Sequence, residues 1–220
     1  MPSFILSRLG RWITVPGLIL AIVTSAAPAL AEGGNVLPPT ARPKGYSLAD
    51  MAAATAVFNA GGPDSRSPAT EPDVPFQILY TSTANPTGTF TVRPGTMLYV
   101  PVVFTDNSPP ILGDFPADLT DRAAVANYFF NQQELGAVSI QVVVDGQVTD
   151  VGPNYVVGVN TAPLPDGGGT GYIVAGVFLT PLATGAHTVE IRALFTGAAL
   201  DGFFPGGVFQ FADTFTVIVR

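Results

Sequence analysis

Short runs of alternating or continuous apolar residues recur from residue 76 onward, and this recurrence constrains the fold more than any other feature. The runs are rich in Val, Ile, Phe and Thr, and turn-forming residues separate them. They cover residues 76–82, 88–95, 97–104, 138–151, 155–161, 170–182, 187–197 and 208–220. Many short strands with turn signals between them indicate a sandwich or a barrel. We therefore predict a mainly β fold: an antiparallel β-sandwich of the jelly-roll or immunoglobulin-like type with one or two short helices.

One turn in this region has a specific signature. Asp145 and Gly146 lie between two alternating runs, and both central positions of a two-residue type I′ turn require positive φ. Asp-Gly is a favoured pair for that turn. We predict a β-hairpin at this point.

A helix is expected before the first strand, over residues 47–60. Ser47 is suited to be its N-cap, with Asp50 three residues further on. Met51 and Phe58 recur at helical spacing, which predicts a face that packs on the domain. A second helix is expected to start near Thr120, within a proline-rich insertion that covers about 105–136.

The N-terminal residues 1–31 have the pattern of a signal peptide. Arg8 and Arg11 precede an apolar segment at 13–23, and an A-x-A motif follows at 29–31. The pattern predicts export by the general secretory route, to the periplasm or the cell exterior. The alternative is an uncleaved membrane anchor, since the run from residue 13 to residue 31 is nearly long enough to span a bilayer.

The predicted mature chain has two parts. Residues 32–46 are rich in Gly and Pro without periodicity, and we expect a flexible spacer there. Residues 47–220 are expected to form a single β-sandwich domain. No later segment is apolar for long enough to predict another membrane span.

Composition excludes several function classes. The formal net charge is −7, and an acidic chain lacks the basic face that nucleic-acid binding requires. The absence of cysteine excludes thiol nucleophiles and thiolate metal sites. The single histidine, His187, cannot by itself build a catalytic zinc site, and we interpret it as a structural residue at the start of a strand. No cofactor is expected, apart from calcium as considered next.

An acidic loop is the candidate for a metal site. Four aspartates lie between residues 106 and 121, and flexible loops rich in oxygen ligands suit Ca²⁺. These candidate ligands are Asp106, Asp114, Asp118 and Asp121. The alternative is that they cap the helix near Thr120 and solvate the loop.

Three functions stay open at this point. The leading hypothesis is a non-enzymatic binding or structural module that interacts with a protein or a carbohydrate, since no nucleophile motif is present and strand edges allow binding by strand addition. The second is a Ca²⁺-dependent binding module that uses loop 106–121. The third is a carbohydrate hydrolase that uses paired carboxylates, although Glu134 and Glu190 are isolated in the sequence.

Three phrases carry a family resemblance: FTVRPGTMLYVPVVFTDNS, VVVDGQVTDV and GYIVAGVFLTPLATGAHTVEI. In their order and spacing over 89–191 they resemble a family of uncharacterised exported bacterial proteins, without the cysteines and the tryptophan of that family's pattern. The resemblance implies export and a β-rich fold and adds no site. The phrase LATGAHTVEI also resembles the closing strands of bacterial immunoglobulin-like domains.

Overall fold

The computed structural model describes residues 34–220, so the predicted signal peptide at 1–31 lies outside the described residues. The described chain is mainly β, as predicted, with two α-helices. The helices are α1 (Leu48–Ala60) and α2 (Arg122–Phe130). The strands are β1 (Gln77–Ile78), β2 (Thr89–Val92), β3 (Leu98–Asp106), β4 (Ala137–Val144), β5 (Gln147–Asp150), β6 (Val156–Asn160), β7 (Gly171–Leu179), β8 (Gly185–Phe195) and β9 (Phe209–Val219).

The strands form two sheets that share one hydrophobic core. Sheet A has four strands in the order β1-β3-β7-β6, and sheet B has five in the order β2-β9-β8-β4-β5. Most neighbours are antiparallel, but β1 pairs with β3 and β2 pairs with β9 in parallel. The β-sandwich is confirmed, and its two parallel edge strands are an addition to the predicted antiparallel arrangement.

Sheet A is covered on both faces. Every residue of β7 is buried, because α1 packs against β6 and β7 while the opposite face meets sheet B. A strand with two buried faces has continuous rather than alternating apolar residues, which explains the sequence YIVAGVFL at 172–179.

The local signals in the sequence are confirmed at both helices and at the hairpin. Ser47 and Asp50 form a reciprocal capping box at the start of α1. Asp121, one residue beyond the expected start, caps α2 by accepting hydrogen bonds from two backbone N–H groups. Asp145 and Gly146 have φ of 50° and 85° and join β4 to β5.

In the described part of the expected spacer, residues 34–46, the backbone pairs with sheet A. Val36 forms an antiparallel bridge with Leu179. The Leu37 N–H donates to the Phe178 carbonyl at 2.9 Å, and the Tyr155 hydroxyl donates to the Leu37 carbonyl at 3.1 Å. The glycine and proline content of this segment could not predict the pairing, because the pairing depends on a strand far along the chain.

None of the helices between residues 34 and 220 has the length and apolar content needed to cross a membrane.

The sandwich is open along one side. β1 lies beside β3 only at Leu98 and Tyr99, so the rest of β3 has no strand neighbour on that side. β2 lies beside β9 only from Thr216 to Val219, which leaves residues 209–215 open in the same way. The two open stretches belong to opposite sheets and line one cleft.

Candidate ligand-binding cleft

The cleft between the open stretches of β3 and β9 has a volume of about 370 Å³. Its walls are mainly aromatic, and phenylalanines come from both sheets, from α2 and from the segment between β8 and β9. These are Phe104, Phe129, Phe195, Phe204, Phe209, Phe211 and Phe215. The rings pack on one another: the Phe209 centroid lies 5.5 Å from that of Phe211 and 5.2 Å from that of Phe204.

The period-two pattern of β9 explains which side chains reach the cleft. Residues at odd positions from 209 onward face inward, while those at even positions face outward. Phe209, Phe211 and Phe215 follow this rule, and Asp213 stands in the same inward row. A carboxylate therefore lies among apolar side chains on the wall of the cleft.

Arg66 lies near Asp213 in this polar part of the cleft. One terminal nitrogen of the guanidinium donates to the Asn59 carbonyl at 2.7 Å, and the other donates to the Thr81 carbonyl at 3.4 Å. Its Nε is buried without a hydrogen-bond partner. The guanidinium carbon lies 5.9 Å from the Phe104 ring centroid, a distance suited to a cation–π contact. Burial lowers the pKa of Arg66.

Asp213 accepts a hydrogen bond from the Thr81 hydroxyl at 3.1 Å and one from the Thr214 backbone N–H at 2.9 Å. Burial raises the pKa of Asp213, although these bonds and the nearby charge of Arg66 favour the ionised form. Asp213 and Arg66 offset each other's charge without direct ion pairing, since the ion pairs within residues 34–220 involve other side chains.

A second polar group is formed by the carboxyls of Asp106 and Asp166. Asp106 ends β3, and Asp166 lies in the loop between β6 and β7. The Ser108 backbone N–H donates to Asp106 at 2.7 Å, and the Ser108 hydroxyl donates to Asp166 at 3.0 Å. Burial, the negative charge of Asp106 and a hydrogen bond with Asp106 together raise the pKa of Asp166 to about 6. Asp166 therefore binds a proton under mildly acidic conditions, in which an ordinary aspartate is ionised.

The loop that carries Asp166 is held in place by β3 and the residues after it. The Asn107 side-chain oxygen accepts hydrogen bonds from the N–H groups of Thr170 and Gly171, both at 2.8 Å. The Gly169 N–H donates to the Ser108 hydroxyl at 3.1 Å. A side chain at Gly169 would collide with Ser108 and Asn107, so the close approach requires glycine.

The four predicted calcium ligands perform separate tasks. Asp118 accepts hydrogen bonds from the N–H and hydroxyl of Thr120, and Asp121 caps α2. The Asp114 N–H donates to Glu134 at 2.9 Å, while Asp106 faces the cleft. Throughout residues 34–220, no three acidic or histidine side chains are grouped to hold a metal ion. The described chain thus favours the capping alternative for Asp121, while Asp118 stabilises the turn before α2.

His187 lies away from the cleft, near the start of β8. Its ring nitrogens face the Asp145 carboxylate and the Ala183 carbonyl, which fix the turn of the β4–β5 hairpin against β8. Glu134 and Glu190 are also engaged elsewhere: Glu134 accepts from Asp114, and Glu190 pairs with Arg192. None of these side chains lines the cleft.

The Asp106–Asp166 pair is the described feature nearest to the predicted carboxylate hydrolase. Glycoside hydrolases separate their carboxyl groups by about 5–9.5 Å so that the sugar, or a water, fits between them. Asp106 and Asp166 are held beside each other, because Ser108 donates a hydrogen bond to each carboxyl.

Sequence reasoning missed the cleft but contained a signal for part of it. In FQFADTFTVIV, Asp213 interrupts an alternating apolar row, and a charged residue in such a row points to a specialised environment. Arg66 and Asp166 lie in turn-rich segments without periodicity, so only tertiary structure reveals their location.

No protein-family model, curated protein or solved structure matches this chain.

Proposed function

We propose that this protein is an exported, non-enzymatic binding module whose ligand is an amphipathic small molecule held between β3 and β9. The apolar body of the ligand lies against the phenylalanine wall, and its polar end lies beside Arg66, Asp213 and the Asp106–Asp166 pair. The observation that carries this proposal is the cleft itself, which combines an aromatic wall with a few convergent polar groups.

The size and chemistry of the cleft support a small ligand. Binding sites for small molecules are apolar clefts of about 300–1,000 Å³ that contain few, well-placed polar groups. The cleft's volume of about 370 Å³ lies in this range. The pKa of Asp166, raised by burial and by Asp106, is a further feature common in binding and active sites.

The open edge of β9 favours a second candidate, the addition of a strand from an extended polypeptide. The Thr216 N–H donates to the Gly88 carbonyl on the β2 side, so Gln210 and Ala212 direct their backbone groups to the open side by alternation. The facing edge, that of β3, offers fewer backbone hydrogen-bond donors, because Pro101 has no N–H. A short ladder of backbone hydrogen bonds along one wall contributes less binding free energy than contact with the aromatic wall. We therefore favour the small ligand.

The test is binding of the neutral apolar fluorophore N-phenyl-1-naphthylamine to the chain from Glu32. We expect saturable fluorescence enhancement that the Phe211→Ser variant largely loses. Val208→Ser is the matched control, because Val208 is 42% exposed just before β9 and does not line the cleft.

Equal binding by both variants would contradict the proposal, because it would place the fluorophore elsewhere. Amide hydrogen exchange at Ala212 separates the two candidates. A polypeptide strand would slow exchange there, whereas a small ligand against the phenylalanines would leave it unchanged.

A further inference from the structure

The charged groups of the cleft are unevenly balanced. Three carboxyl groups line it, on Asp106, Asp166 and Asp213, and the cationic side chain among the lining residues is that of Arg66. Arg66 is close enough to Asp213 for each to influence the pKa of the other. This leaves the Asp106–Asp166 pair with negative charge and, within residues 34–220, without an ion pair to a basic side chain.

The hydrogen bonds around the pair show what is missing from it. Ser108 supplies one donor to each carboxyl, through its N–H to Asp106 and its hydroxyl to Asp166. Each carboxylate has room for about four hydrogen bonds. The two bonds from Ser108 use only part of this capacity. A group with several N–H donors and a positive charge would satisfy both carboxylates at once.

A primary ammonium group has this chemistry. It carries three N–H donors and no acceptor, and a simple alkylamine resembles lysine, whose pKa is about 10.4. An anionic end group would instead meet the uncompensated charge of two carboxylates in a cleft that is largely apolar. A hydroxyl end group has a single donor and no charge, so it would leave the charge of the pair uncompensated.

We propose that the cleft selects amphipathic amines, with the apolar body against Phe209 and Phe211 and a primary ammonium group donating to Asp106 and Asp166. The proposal rests on the proposed function, because it assigns the chemical class of ligand for the same cleft. Charge complementarity between the ammonium and the carboxyl pair is the observation that chooses this ligand.

The experiment compares three ligands that share one ten-carbon body: decylamine, decanol and decanoate. Each displaces N-phenyl-1-naphthylamine from the chain at pH 7.5, below the concentration at which it forms micelles. We expect decylamine to bind about tenfold more tightly than decanol, because its ammonium group brings three donors and a positive charge to the carboxylates, whereas the hydroxyl brings one donor and no charge. Decanoate should bind more weakly than decanol.

The Asp166→Asn variant tests the assigned carboxyl pair. It should reduce the advantage of decylamine over decanol to about threefold or less. Asp114→Asn is the matched control, because it removes the same charge from a residue outside the cleft. Asp106→Asn serves as a second variant if thermal unfolding shows that Asp166→Asn does not fold.

The outcomes separate the two proposals. If none of the three ligands displaces the fluorophore, the proposed function fails. If all three displace it equally, the function stands and the preference for amines is wrong. If Asp166→Asn and Asp114→Asn weaken decylamine equally, the attraction is a general effect of acidic charge, and the assignment to Asp106 and Asp166 is overturned.

Discussion

Nδ1 of His187 lies 2.7 Å from Oδ2 of Asp145, and the other ring nitrogen lies 2.8 Å from the Ala183 carbonyl oxygen. Only the protonated ring can donate to both acceptors. The hydrogen bond to Asp145 and the one to Ala183 therefore raise the pKa of His187. Their contribution to stability is complete below about pH 6.5, the unfolded value, and is lost as pH rises through the raised folded pKa.

The His187→Gln variant tests this pH dependence. At pH 5.5 we expect its Tm to lie about 2–4 °C below that of the parent, which corresponds to about 1 kcal/mol for a partly exposed pair. The difference should shrink by pH 9. Arg192→Gln is the control, because the Glu190–Arg192 pair keeps its charges over this range. A difference for His187→Gln that is constant with pH would show that the ring is not charged in the folded state.

Asp166 is an acid, but its pKa shift gives a pH dependence in the same direction as that of His187. Its folded pKa of about 6 lies above its ordinary value of 3.8, so the folded state binds more protons between these values and loses stability as pH rises through them. We expect the Tm of Asp166→Asn, relative to the parent, to increase from pH 4 to pH 7. Asp114→Asn should show no such trend. A flat difference for Asp166→Asn would mean that the pKa of Asp166 is not raised in the folded state.

Gly136 and Gly197 pack against each other where α2 and its following turn meet the end of β8. The Gly197 N–H donates to the Leu135 carbonyl at 3.0 Å, and a Cβ at Gly197 would overlap the Glu134 carbonyl oxygen. We expect Gly197→Ala to cost about 3 kcal/mol of unfolding free energy in a denaturant titration. Gly152→Ala is the control, because nothing lies within 4 Å of its Cβ position. Similar small losses of unfolding free energy in Gly197→Ala and Gly152→Ala would contradict the close packing of Gly136 and Gly197.

The caps in loop 106–121 predict a stability effect without calcium. Asp121 accepts hydrogen bonds from Ala123 at 2.9 Å and Ala124 at 3.1 Å. We expect Asp121→Ala to lower the unfolding free energy by about 1 kcal/mol, the usual cost of a lost N-cap. Addition of 1 mM calcium should leave the Tm of the parent unchanged. A rise in Tm with calcium that Asp121→Ala abolishes would restore the predicted calcium module.

The signal-peptide prediction is tested by the N-terminus of the secreted chain. We expect cleavage after Ala31, so that the mature chain begins at Glu32, and we expect Ala29→Leu to block cleavage. The first backbone pairing, the Thr180 N–H to the Asn35 carbonyl at 2.8 Å, lies only three residues further on. A mature protein that retains residues 1–31 would support the membrane-anchor alternative instead.

The sequence predicts the parts of this fold that depend on neighbours in the chain. Alternation identifies β9, and the Asp-Gly pair identifies the β4–β5 hairpin, because both signals act over a few residues. The cleft could not be predicted, since it arises where β3 and β9, from different sheets, both lose their strand neighbour. Only the inward position of Asp213 in an apolar row gives a local signal for the site.

The parallel pairing of β2 with β9 also bears on how the molecule folds. Phe90 lies opposite Val217, so β2 cannot join its sheet until a strand from far along the chain is in place. Closing such a long loop costs entropy before any contact compensates for it. Proteins dominated by non-local strand pairs fold in milliseconds to seconds rather than microseconds. We therefore expect β2 to dock late, and for an exported chain, as proposed above, slow folding leaves time for passage through a secretion channel before the sheet closes.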